Sequence, residues 1–433
     1  MAQFRKDTHQ YLPDGKTIFE AVMLADQYGN LVGAANPSGM AVDAFGRARV
    51  STPLTLFDSQ HRYDPNQKFH TANTSGGTYS FNANSAAYNM IVDTTSGAEV
   101  IRESKRVFAY QPGKSLQILQ TFVMNPAKEG LRQRTGYFDT NNGIFLQLDG
   151  STLSFVKRSN STSTPTDTVV NQADWNMDVL DGTGPSGLTL DITKAQILFI
   201  DIEWLGLGTV RCGFVINGQL IHCHSFHHAN IVDGPYMTTA CLPVRLEIKN
   251  TSGTANSSTL KQVCSSVISE GGYNLTGKPR SVGTPANSVI VMTTAGVWYP
   301  VVSIRLKSDQ LDSIVVPTNI SFLAEGNNGR AKYALISGGT LGGNTTFVSA
   351  GSDSPVEYNI TANSISGGTV IQQGLVGITN QTAAMITLGK DTLFKYQLSR
   401  NGLTNVPEIL TLAGMAGTAG DDASGTIDWE EVT

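Results

Sequence analysis

Charge is scarce in this sequence. Asp, Glu, Lys and Arg make up 15% of its 433 residues, against roughly 25% in an ordinary soluble chain. That shortage removes the Glu-, Lys- and Ala-rich runs from which helical bundles are built. Cysteine is nearly missing as well: Cys212, Cys223, Cys241 and Cys264 share no metal-binding spacing. No apolar run approaches the roughly 18 residues of a membrane span, and the opening MAQFRKDTHQYLPDG has no apolar secretory core. No membrane span is expected, and synthesis in a cytoplasm is. Nor is there an excess of positive charge: 30 Lys and Arg stand against 35 Asp and Glu, a formal net of −5, so nothing pulls the chain toward specific nucleic-acid binding. The local run Lys128, Arg132, Arg134 reads as a solvated loop or an intersubunit salt bridge.

Ser, Thr, Asn and 44 Gly take the place of the charges, a composition that suits strands joined by tight turns and is common in large extracellular assemblies. The clearest passage is Ala195 to Phe226, AQILFIDIEWLGLGTVRCGFVINGQLIHCHSF. Asn217-Gly218 is a hairpin signal, since both residues tolerate the positive φ that a type I′ turn needs. In ILFIDIEW, Ile200, Ile202 and Trp204 alternate with Asp201 and Glu203, the period of a half-buried strand. The unit is an antiparallel meander. A two-residue turn at Asn217-Gly218 sets Cys212 opposite Cys223 at a hydrogen-bonded position, where a disulfide is awkward, so both are expected to be reduced.

Residues 1–60 read as an extended N-terminal arm with too little apolar area for a core, and with one short helix near Ile18 to Ala25. Residues 61–276 carry strand candidates at sandwich spacing, punctuated by turns at Asn141-Asn142-Gly143, Asp149-Gly150 and Asp181-Gly182. GKPRSVGTP, Gly277 to Pro285, reads as the domain boundary. Residues 277–433 form a second, smaller β-domain, whose strands include LFKYQLS and whose acidic tail lies against a neighbour through Ile427 and Trp429. The expected fold is mostly β: an antiparallel β-sandwich, jelly-roll or concanavalin-like, plus the smaller domain and the arm.

Few groups invite chemistry. His222, His224, His227 and His228 crowd seven positions; His222 and His224 share a strand face and could hold zinc or iron with Asp233, or simply line a half-polar sheet. The second reading is preferred, so no metal and no cofactor is expected. Asp201 and Glu203, roughly 7 Å apart on one strand, are expected to face solvent or a neighbouring subunit rather than act as a glycosidase pair. Thr183 to Gly187, TGPSG, lacks the Lys-Ser/Thr end of a phosphate loop and reads as a turn. No nucleophile elbow occurs, so no catalytic residue is named and no enzyme is expected.

Three segments, AVDAFGRARVSTPLTLFDSQHRY (Ala41 to Tyr63), RQRTGYFDTNNGIFLQLDG (Arg132 to Gly150) and the passage from Trp175 to Asn230, resemble virion structural proteins of tailed bacteriophages, particularly marine and cyanobacterial ones. The strand, Gly turn, V-R-x-G-F-V-I-N-G, strand pattern is similar to the rear sheet of concanavalin-like lectin sandwiches. The phage resemblance implies a structural component of the virion, in tail, baseplate, fibre or capsid surface. It would be a homo-oligomer, with a trimer favoured, joined to other virion proteins through the arm. The alternative is a receptor-binding adhesin whose sandwich loops hold a host surface glycan; Asn230, Asp233 and Tyr236 are the residues nominated for it.

Overall fold

The computed structural model describes residues 53–326, 329–378, 384–387 and 395–432, together with four short strands in the first fifty-two. Alternation along the strands resolves into two packed sheets. The eight-stranded sheet runs Gln219–Phe226, Val210–Ile216, Gln196–Ile202, Leu116–Val123, Ser258–Ser269, Ala87–Val92, Gly77–Asn82, with Leu54–Gln60 also pairing Ser258–Ser269. The seven-stranded sheet runs Thr166–Asn171, Thr152–Ser159, Gly143–Asp149, Leu131–Phe138, Val244–Asn250, Glu99–Ser104, Phe69–Asn73. All ladders are antiparallel. Between the sheets lies one apolar core, in which Ile118, Phe122, Ile200 and Phe214 meet Tyr137, Leu146, Phe155 and Leu246. The fold is therefore the expected antiparallel sandwich.

The second β-domain pairs a five-stranded sheet, built on Asp421–Val432 and Ile314–Glu325, with a six-stranded one built on Tyr299–Leu306, Leu410–Ala416 and Gly329–Ser337. Val301, Ile304, Phe322, Leu412, Ile427 and Trp429 fill the space between.

Several local expectations change. Leu54–Gln60, assigned to the arm, is a strand of the sandwich. The helix expected near Ile18 to Ala25 is replaced by strands Ile18–Glu20 and Leu24–Ala25, which pair with His9–Tyr11 and Leu31–Val32 respectively. The Gly- and Pro-marked segment is itself a strand: Lys278–Gly283 pairs along Asp421–Val432 of the second domain. That same pairing buries the acidic tail inside its own domain, where Ile427 and Trp429 are core residues rather than contacts to a neighbour. The described part of LFKYQLS, residues 395–399, contains no strand. Lys128 lies half-exposed on the loop before Leu131–Phe138, as expected; its Nζ donates to Asn256 O at 2.9 Å and Ser258 Oγ at 2.8 Å.

The hairpin register also shifts. Gly213 faces His222, but Cys212 faces His224, so Cys223 is the extra residue of a bulge and the two cysteines are not opposite. The bulge is held by a distant segment: the freed Cys223 carbonyl accepts from Met177 N and Asp178 N at 3.0 and 3.1 Å. Asn176 then continues the ladder on this edge, its side chain bonding both the N–H and the carbonyl of Ser225. All four cysteines are free thiols.

On the face of the seven-stranded sheet turned away from the core, charges alternate across neighbouring strands. Asp167 binds Arg158 at 2.8 Å, Arg134 lies 3.4 Å from Glu247, Arg245 bridges Glu247 and Glu103 at 2.7 and 2.8 Å, and Arg400 of the second domain takes the other oxygen of Glu103 at 2.8 Å. Arg134 and Arg158 lie over the Phe145 ring, and Arg245 over Phe138. Around this contact Arg400 N donates to Lys105 O, Gln397 Nε2 to Val107 O, and Val107, Ala109, Ile314 and Val316 form an apolar seam. The two domains are thus one packed body.

The turn offers a direct check. Asn217 and Gly218 sit at φ of 53° and 76°, and a Cβ added at Gly218 would meet nothing within 4 Å. Any cost of a side chain there is backbone strain alone, so Gly218→Val should lower stability by about 1–2 kcal/mol in chemical denaturation. Denaturation identical to wild type would exclude the type I′ turn.

Candidate functional site

The sequence-nominated residues do not assemble. Asn230 and Asp233 are exposed on a loop, while Tyr236 is only 4% exposed and its ring stacks on His228 at 3.7 Å and 7°. A covered ring offers no platform to a sugar. The histidines are likewise occupied. His222 Nε2 donates to Ser225 Oγ at 2.9 Å and lies 3.2 Å from His224 O, His224 Nδ1 accepts from Asn176 N, and His228 Nδ1 donates to Gly208 O at 2.8 Å. Among the described residues no three His, Cys, Asp or Glu side chains are grouped to hold a metal. Asp201 and Glu203 do not face solvent; both are buried and converge on Arg211, at 3.2 and 2.7 Å. Thr183 to Gly187 is a turn, tied by Ser186 N to Asp178 Oδ2.

The exposed aromatic platform lies elsewhere, at the open side of the sandwich. Strands Gly77–Asn82 and Ala87–Val92 pair so that Tyr79 faces Met90 and Phe81 faces Tyr88, which makes Tyr79 and Tyr88 diagonal neighbours on one face. Their rings stack at 5.9 Å and 22°. Tyr88 is buried, but Tyr79, on the edge strand, is 44% exposed. From the opposite sheet Arg102 reaches between them and the core: its guanidinium carbon lies 3.6 Å from the Tyr88 centroid and 4.6 Å from that of Phe69. Arg102 Nε donates to Gln262 Oε1 at 2.7 Å, Nη1 to Thr71 Oγ1 at 2.8 Å, and Nη2 to the carbonyl of Pro65. His61 accepts from Nη2 at 3.2 Å, because its Nδ1 proton is committed to Val263 O at 2.7 Å.

The result is a pocket of about 340 Å³ floored by Arg102 and Tyr88, walled by Phe69, His70 and Thr71 and rimmed by Tyr79. Through Gln67 and Lys105 it runs into a larger cleft of about 920 Å³ between the two domains. Leu56, Phe57 and Arg106 line that cleft on the sandwich side, and Thr318, Ile371 and Glu408 on the other. Glu408 ties the two cavities together, accepting from Lys105 at 2.8 Å and His70 at 3.1 Å. Burial raises its pKa, but His70 and Lys105 outweigh that and hold it down to about 2.

No family model and no curated protein matches the sequence. Solved structures align with about half of it: a legume lectin-like domain from Entamoeba histolytica at 10% identity (49% of this chain, 96% of that one, TM-score 0.30), arcelin-5, a lectin-like defence protein from Phaseolus vulgaris, at 11% (51% and 99%, TM-score 0.31), and a putative beta-glucanase from Mycobacterium abscessus at 11% (49% and 99%, TM-score 0.34).

The buried histidines make stability depend on pH. Burial lowers the pKa of His224 and His228 from 6.5 to about 4, so between those values the unfolded chain binds protons that the folded chain refuses. Their contribution is complete above pH 6.5 and is lost as pH falls toward 4. His228→Phe, which keeps a ring against Tyr236, should therefore show a smaller fall in Tm between pH 7 and 5 than wild type. An equal fall would place the titration elsewhere.

Proposed function

We propose that this chain is a non-catalytic structural protein of a tailed-phage particle, anchored by its first fifty-three residues to neighbouring virion proteins. The observation that carries the reading is the pairing of the N-terminal strands. His9–Tyr11 pairs with Ile18–Glu20, and Leu24–Ala25 with Leu31–Val32, and among the described residues no ladder joins them to either sandwich. Two-stranded ribbons of this length are not stable alone in water, so their ordering draws on burial against another chain. The segment that follows enters the sandwich as Leu54–Gln60 and borders the interdomain cleft, so an arm held by neighbouring proteins would leave the body there. The arginine-clamped carboxylates Glu103 and Glu247 agree with a load-carrying role better than with acid–base chemistry.

A second reading, an adhesin that holds a surface saccharide, is favoured by the Tyr79 platform over a polar pocket. Exposed aromatic rings stack on sugar faces, and adjacent polar groups fix orientation.

Deletion of residues 1–53 tests the first reading. The shortened protein should melt within a few degrees of the full chain, yet be missing from particles assembled in its presence. Incorporation at the normal copy number would remove the anchor from this segment.

A further inference from the structure

We propose that the pocket under Tyr79 binds an acidic saccharide, with a sugar ring on Tyr79 and the ligand's carboxylate drawn to the Arg102 end. The inference rests on the saccharide reading and adds the charge of the ligand. Arg102 is 2% exposed, and a guanidinium so deeply buried is ordinarily matched by a carboxylate. Elsewhere in the sandwich that rule holds: Arg134, Arg245 and Arg211 each face Glu or Asp. Arg102 has no ion pair with any described residue. Its partners are the neutral oxygens of Gln262, Thr71 and Pro65, the neutral imidazole of His61, and the faces of Tyr88 and Phe69.

The two other basic groups at the pocket, His70 and Lys105, already share Glu408, so the Arg102 charge is the one left uncompensated. It lines the floor of an open pocket rather than a sealed core. Desolvation lowers the Arg102 pKa to about 10, which leaves the group cationic at neutral pH. An anion entering the pocket would meet this charge in a partly dehydrated site, where a charge-assisted interaction is strong. The exposed ring of Tyr79 beside it selects for a ligand with both a flat apolar face and a negative group, which an acidic sugar supplies.

The test uses the full-length protein in calorimetric titration with trigalacturonate and 3′-sialyllactose, their carboxyl methyl esters, and the neutral trisaccharide maltotriose. At least one acid should bind, its ester should bind about tenfold more weakly or not at all, and Tyr79→Ala should weaken the acid comparably in a protein that still unfolds cooperatively, with Tm lowered by no more than a few degrees for the lost stack on Tyr88. Equal binding of acid and ester, or of maltotriose, would overturn the charge inference and leave the saccharide reading standing. Binding of the acid undiminished in Tyr79→Ala would move the site away from this pocket. No heat from any of the five sugar ligands at millimolar concentration would overturn both readings.

Discussion

One carboxylate decides how the two domains sit. Glu103 gives one oxygen to Arg245 of its own sheet and the other to Arg400 of the second domain. It belongs to a row in which four arginines, Arg158, Arg134, Arg245 and Arg400, alternate with four carboxylates, Asp167, Glu247, Glu103 and Asp312. In such a row each buried charge is desolvated but not left alone, and removing a single member exposes the rest. The apolar seam of Val107, Ala109, Ile314 and Val316 supplies adhesion. The charges supply register, because a guanidinium fork meets a carboxylate in few orientations. Once that register is set, Lys105 and His70 meet Glu408, and the cleft and the pocket beside it take their shape.

The pocket and the charged row apply the same rule with opposite outcomes. Along the row every buried arginine finds a protein carboxylate. In the pocket Arg102 is held by neutral acceptors and aromatic faces, as a site would be that leaves the counter-charge to a ligand. A sandwich is well suited to this: its lateral openings, where sheets end in edge strands, are where core-facing residues such as Tyr79 reach solvent.

Local patterns carried much of the architecture. Alternation in ILFIDIEW, the Asn217-Gly218 turn and the spacing of turn signals were enough for two β-domains and most strand positions. The errors share a cause, which is distance along the chain. Lys278–Gly283 gives no strand signal through its Gly and Pro, yet it is a strand whose partner is some 150 residues away. The acidic tail alternates Ala423, Ile427 and Trp429 with charges, and only its place between two strands explains why it is central. The Cys223 bulge depends on Met177 and Asp178. The pocket was not legible, since Tyr79, Arg102 and Glu408 are far apart along the chain and each looks unremarkable among its neighbours; the nominated Tyr236 stood out by composition but is a covered core ring.

The account turns on the Glu103–Arg400 bridge, and a double-mutant cycle tests it most directly. Glu103→Gln, Arg400→Met and the pair are compared with wild type by chemical denaturation of the whole chain. Each single change should cost about 3–5 kcal/mol, and the double change much less than their sum, giving a coupling of about 2 kcal/mol or more. Additive costs, with the two domains unfolding in one step regardless of either substitution, would show that the apolar seam alone sets the junction and would contradict the account.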